Sequence, residues 1–258
     1  MGGVESILTI SSVPSLEEQV ESQLGPSTAG TRIVRSASSA VEHVAVRVPI
    51  DGIELAADVA LPVRAKGLVV FAYGSGSSRR SPRNRHVADV LNAGEIGTVL
   101  IDLLTELEEA ADLRTAELRF DIPLLGQRLT AVTDWVYRQT HLNELKLGYF
   151  GASTGAAAAL VAAAERPSLV GAVVSRGGRP DLAGAALRQV VAPTLFIVGG
   201  EDPVVLGLNY SAIEKLPAGT EHKLEIIDGA THLFEEPGTL DQVATLARDW
   251  FQKYLKSA

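Results

Sequence analysis

Cysteine is absent from this chain of 258 residues. That absence removes disulfides, Cys-ligated zinc, iron–sulfur clusters and thiolate nucleophiles together. A covalent catalyst built on this chain must attack with something other than sulfur. Aromatic residues are scarce at 5%, so a core has to rest on Val, Leu, Ile and Ala. Basic residues are outnumbered, 23 Lys and Arg against 31 Asp and Glu, for a net charge of −8. That balance argues against a general coat for nucleic acid or an anionic membrane. Long apolar runs are missing too. The longest, Ala156 to Ala164, stops at Glu165, well short of the roughly 20 residues that cross a bilayer. The opening residues have neither the basic region nor the apolar run of a secretory signal, so a cytoplasmic protein without membrane partners is expected.

What is present is a globular composition, 46% hydrophobic with a mean hydropathy of +0.17. The length suits one domain with a minor appendage. Residues 1–40 are set apart by Ser, Gly and Thr. They hold one helix candidate, where Ser15 and Glu18 fit a capping box and Leu16, Val20 and Leu24 follow at helical spacing before Gly25-Pro26. This segment reads as a surface helix or arm; the sharper alternative is an arm exchanged between the two copies of a homodimer. The division expected is an N-terminal arm, 1–40, and a domain, 41–258.

From His43 the pattern becomes regular. Two alternating runs flank Asp51-Gly52 and predict a hairpin. Continuous apolar runs follow at 67–72, 97–103, 145–150, 169–174, 194–198 and 224–227, each reading as a buried strand. Helical patterns lie between them at 83–92, 122–139, 154–165, 182–190 and 206–216, and 240–255 closes the chain. This alternation predicts an α/β fold, a mostly parallel sheet with helices on both faces. The stretch between the strands at 169–174 and 194–198 is too short for a large cap domain, so the loop around 104–120 is the only lid expected.

One motif stands out. Leu147-Gly148-Tyr149-Phe150 reads as a buried strand, Gly151-Ala152-Ser153-Thr154-Gly155 is Gly-x-Ser-x-Gly, and an Ala-rich helix follows. A nucleophile on a sharp strand-to-helix turn needs small neighbours two residues away on each side, and Gly151 and Gly155 supply them. The alternative is a mere tight turn; the context favours Ser153 as nucleophile. Ser requires a base. Of the five histidines, His232 alone follows a strand and shares the sheet edge of Ser153. The acid that orients the imidazole is read as Asp202, after Gly199-Gly200, with Glu201 as the alternative. Asp102 also ends a strand, but reads as a loop hydrogen-bond partner. The oxyanion donors are read as the Thr154 backbone N–H and the loop Tyr73-Gly74-Ser75-Gly76, with Ser75 first and Gly76 next. That loop lacks the Lys-Ser/Thr of a phosphate-binding P-loop.

Gly74-Ser75-Gly76-Ser77-Ser78, Ser81-Pro82-Arg83-Asn84, Arg119-Phe120-Asp121-Ile122, the Ser153 motif and Gly229-Ala230-Thr231-His232-Leu233-Phe234 together resemble the bacterial dienelactone-hydrolase-like α/β-hydrolases over roughly residues 45 to 255. The resemblance implies an α/β-hydrolase fold and a triad of Ser153, Asp202 and His232. Two departures stand against that pattern. The family's namesakes use a Cys nucleophile, and this chain has none. Relatives carry His before the oxyanion-loop glycine, where this chain has Tyr73, which can support the loop or enter the pocket. Some relatives are fused to a phosphoribosyltransferase domain, for which forty extra residues are too few.

The expected function is hydrolysis of a small-molecule carboxyl ester or lactone through an acyl-enzyme on Ser153, with no cofactor and no metal. Thioester, amide or carbon–carbon cleavage, and a non-catalytic binding module of the same fold, are the alternatives. Arg79, Arg80, Arg83 and Arg85 crowd one segment beside the oxyanion loop, and Arg176 and Arg179 follow another strand. Tyr73, Arg79, Arg80 and Arg176 are the candidate substrate contacts, the arginines for a carboxylate or phosphate. The competing reading is neutralisation by the acidic run Glu106 to Asp112.

Overall fold

The computed structural model describes residues 41–74 and 76–256. The arm 1–40 with its helix candidate, and Ser75, lie outside the described residues. Strands β1 (Val41–Ile50) and β2 (Ile53–Pro62) pair antiparallel from Val41↔Pro62 to Ile50↔Ile53. Asp51 and Gly52 both take positive φ, 46° and 86°, as a two-residue hairpin turn with right-handed twist requires. β3 (Leu68–Ala72), β4 (Gly97–Ile101), β5 (Leu147–Ala152), β6 (Val170–Arg176), β7 (Thr194–Gly199) and β8 (His222–Ile227) complete an eight-stranded sheet ordered β1-β2-β4-β3-β5-β6-β7-β8. Only the β1–β2 and β2–β4 pairs are antiparallel.

Strand residues alternate between two cores. Val70, Tyr149 and Val173 face helices α3 (Ile122–Arg138) and α4 (Thr154–Glu165) on one side. Phe71, Phe150, Val174 and Ile197 face α1 (Pro82–Ala93) and α6 (Thr239–Tyr254) on the other. With both faces covered, the central strands are apolar at every position and lack the alternation of β1. The small side chains of Ala156 to Ala163 let α4 lie close against the sheet, beneath the strand ends that carry the site. Among the described residues, no helix is long and apolar enough to cross a membrane.

Two segments differ from expectation. Residues 180–189 form a 3-10 segment broken at Gly184 (φ 55°), not an α-helix. The lid read as a loop around 104–120 contains helix α2 (Glu106–Thr115) and a 3-10 turn, Leu118–Phe120. α2 carries no apolar period because charge holds it in place. Thr105 and Glu108 form a reciprocal capping box. Glu108 also takes two bonds of 2.7 Å from Arg128 on α3. Asp112 accepts from the backbone and Nε of Arg119 at 3.0 and 2.7 Å.

Candidate active site

Parallel strands bring their C-terminal ends to one edge, and the loops after β3, β5, β6, β7 and β8 meet there. Ser153 joins β5 to α4 with φ 52° and ψ −126°. That conformation costs a non-glycine residue about 1–3 kcal/mol and persists only when its surroundings impose it. They do so here. The Ser153 N–H donates to the Arg176 carbonyl at 3.3 Å, and the Ser153 carbonyl accepts from Ala156 and Arg179 at 3.1 and 3.0 Å. Any Cβ on Gly155 would strike the Ala72 carbonyl and the Tyr73 nitrogen. The helix therefore starts hard against the end of β3.

Gly74 makes the second close approach. A Cβ there would lie 2.8 Å from Ser153 Cβ and 3.1 Å from Ser153 Oγ. The loop after β3 thus passes directly over the serine, where an oxyanion donor has to sit. Ser75, the expected second donor, is outside the described residues. Thr154 begins α4, so its backbone N–H belongs to the unpaired first turn.

The loops after β7 and β8 are stitched together. The backbone N–H groups of Gly200 and Glu201 donate to the carbonyls of Ile227 and Ala230 at 2.8 and 2.9 Å. Asp202 caps α5 (Pro203–Ile213) through Oδ1, which accepts from Val205 N–H at 3.4 Å. Its Oδ2 lies 2.7 Å from His232 Nδ1. A carboxylate only accepts, so Nδ1 carries the proton and Nε2 keeps its lone pair. Asp202 holds His232, while Glu201 is exposed and contributes its backbone alone. The His232 ring flanks the turn after β6, since a methyl on Gly177 would lie 3.6 Å from Cε1. Thr231 donates through its N–H and hydroxyl to Glu236 at 3.1 and 2.6 Å, fixing the loop.

The remaining candidates separate. Tyr73 donates its hydroxyl to Asp102 Oδ1 at 3.0 Å. Asp102 also accepts from the Arg79 backbone at 2.8 Å and pairs with its guanidinium. Burial and the Asp102 charge hold the Tyr73 phenol well above its usual pKa, so it stays a donor. Tyr73, Asp102 and Arg79 form a brace across the loop after β3. Arg80 is exposed, its N–H bonded to Ser78. Arg83 pairs with Glu235, Arg85 with Asp58 and Arg179 with Asp181. These partners replace the expected ones, because Glu108 and Asp112 are taken by Arg128 and Arg119. Arg176 differs. The residue is 7% exposed, and its Nε has no hydrogen-bond partner. Burial first, then the charge of Arg83, lowers its pKa to about 10. The Phe234 ring lies 5.7 Å from the guanidinium carbon.

Beside the serine lies a small, solvent-open cavity of about 50 Å³, whose lining includes Tyr73, Gly74, Thr154, Leu103, Leu104 and Leu125. Glu109 and Asp112 of α2 contribute one wall. Sequence reading missed this wall and the Tyr73–Asp102–Arg79 brace; the capping box at Thr105 was the available signal for α2. Among the described residues, no cluster of three or more His, Asp or Glu side chains could hold a metal ion.

Comparison with known proteins adds three findings. Residues 108–256 match the family described as the dienelactone hydrolase family. A solved dienelactone hydrolase from Anabaena variabilis is 56% identical with a TM-score of 0.82, and the match covers 84% of this chain and all of that one. A protein of Mycobacterium tuberculosis, found in two strains and whose name proposes a phosphoribosyl transferase, is 55% identical over 215 residues, 83% of this chain and 46% of its own. The chain spans under half the length of these curated relatives. Est1E from Butyrivibrio proteoclasticus, in one structure with ferulic acid bound and in another, shares the fold at 15% identity with TM-scores of 0.68 and 0.67, covering 81% of this chain and 98% of theirs.

Proposed function

The chain belongs to the dienelactone hydrolase family, and from that premise we propose that it is a serine hydrolase of a carboxyl ester or lactone. The observation that supports this reading is one sheet edge that carries both Ser153, at φ 52° on the turn after β5, and the Asp202–His232 pair, joined at 2.7 Å. In this reading Ser153 Oγ attacks the carbonyl carbon and His232 Nε2 takes its proton. Asp202 fixes the imidazole and stabilises its charged form. The Thr154 backbone N–H and the loop at Ser75 receive the oxyanion. His232 returns the proton to the leaving alcohol, and water then releases the acid by the same steps in reverse. The cavity offers the leucines Leu103, Leu104 and Leu125 beside the acidic Asp102, Glu109 and Asp112. The activity in the name of the mycobacterial relatives is not carried over, because under half of those proteins is matched.

Labelling with a fluorophosphonate tests this. The wild type should label, Ser153→Ala should not, and turnover of a short-chain aryl ester should fall on the order of 10⁶-fold in that variant. A wild type that neither labels nor hydrolyses would favour the non-catalytic binding module instead.

A further inference from the structure

We propose that the side-chain hydroxyl of Thr154 is a catalytic hydrogen-bond donor, supplementing the backbone amides at the oxyanion. The inference rests on Ser153 being the nucleophile. Thr154 is 2% exposed, and its Oγ1 is buried without a hydrogen-bond partner. Native structures rarely leave a hydroxyl so, because its desolvation is uncompensated. A threonine within a helix ordinarily donates to the carbonyl four residues back, as Thr133 does to Leu129 at 3.0 Å. For Thr154 that residue is Phe150, in the middle of β5. The helix provides no earlier turn to satisfy it.

The hydroxyl faces the reacting centre. A Cβ on Gly74 would lie 3.1 Å from Ser153 Oγ and 3.2 Å from Thr154 Oγ1. Both oxygens therefore lie close to the bare Cα of Gly74, and Thr154 lines the cavity there. Ser175 Oγ is also unpartnered, but it is fully buried and packed against Gly178. Ser175 does not line the cavity beside Ser153, whereas Thr154 does. Attack by Ser153 converts the carbonyl oxygen to an anion beside it. A donor in a water-poor site strengthens as that charge develops, so its effect falls on the transition state more than on the bound ester.

The test uses the full-length protein, a short-chain aryl ester and an alkyl boronic acid that mimics the tetrahedral intermediate. Thr154→Val replaces the hydroxyl by a methyl group of similar size. It should lower kcat about 10–100-fold with KM within about threefold. Thr154→Ser should keep kcat within about threefold. Boronic acid affinity should weaken in Thr154→Val by the factor lost from kcat/KM. If the Val variant does not fold, Thr154→Ala takes its place with the same expectation. A folded, hydroxyl-free variant with kcat within twofold of wild type overturns the proposal. So does one whose kcat falls while boronic acid affinity is unchanged, the mark of a packing role. A wild type that does not label with the fluorophosphonate fails at Ser153 itself, whereas labelling with hydroxyl-independent turnover defeats Thr154 alone.

Discussion

Arg176 separates two demands that usually coincide in a folded protein. It is 7% exposed, without a carboxylate within 4.0 Å among the described residues, and its pKa is lowered to about 10, chiefly by burial. A cation whose pKa falls on folding costs stability while it stays protonated. The Phe234 face offsets part of that cost. Its carbonyl accepts from the Ser153 N–H, and we propose an anionic group on the substrate as what offsets the rest. Arg176→Met should therefore raise Tm by a few degrees, since an apolar side chain replaces an unpaired buried charge. The same variant should lose about tenfold or more in kcat/KM for esters bearing a carboxylate, with neutral esters little affected. Thermal unfolding and a paired ester panel read both effects. A fall in Tm, or equal loss on both ester types, would remove Arg176 from substrate recognition. The residues proposed for chemistry could be picked out in the sequence because their signals are local. Ser153 sits in a spaced Gly motif, and Asp202 and His232 each follow a strand. Partner choice was not legible. Nothing in the order of residues says that Arg79 meets Asp102, that Arg176 meets the Phe234 ring, or that a Thr154 hydroxyl is buried without a partner among the described residues.

Elements were legible where burial wrote a period into them. The six strands from β3 to β8 and helices α1, α3, α4 and α6 follow their apolar runs to within a few residues at each end. α2 was read as a loop because Asp112 is its sole buried residue and charge, not an apolar stripe, docks it. That difference has a consequence with pH. Arg128, with the Thr105 capping bonds, holds the Glu108 carboxyl down to about 2. A carboxylate so depressed contributes stability that is complete above its unfolded pKa, about 4.3. The contribution disappears as pH falls from there through about 2. Glu108→Gln leaves the buried Arg128 guanidinium without its charge partner and should lower stability by about 2 kcal/mol at pH 7. The gap between variant and wild type should shrink as pH drops from 4.5 towards 2. Urea unfolding at both ends of that range measures it. A gap that stays constant with pH would mean that α2 is held by something other than this pair.

At the scale of the whole chain, every residue placed at the site lies between Tyr73 and His232, inside one sheet and its two covering layers. Strand order and the cores place β3, β5, β6, β7 and β8 so that loops distant in sequence converge. The Anabaena variabilis relative is spanned in full by 84% of this chain, so a protein of that extent forms the fold by itself. Residues 1–40 are therefore predicted to be dispensable for chemistry, whatever they contribute to assembly. A fragment beginning at residue 41 keeps the whole β1–β2 hairpin, whose pairing runs from Val41↔Pro62 onward. It should unfold within a few degrees of the full chain and keep kcat/KM within about twofold on a short-chain ester. Mass in solution then addresses the arm separately. An exchanged arm would make the full chain a dimer and the fragment a monomer, and an unchanged state would reject exchange. A tenfold loss of activity in a folded, monodisperse fragment would instead place part of the first forty residues at the site, and the boundary before β1 would have to move towards the N-terminus.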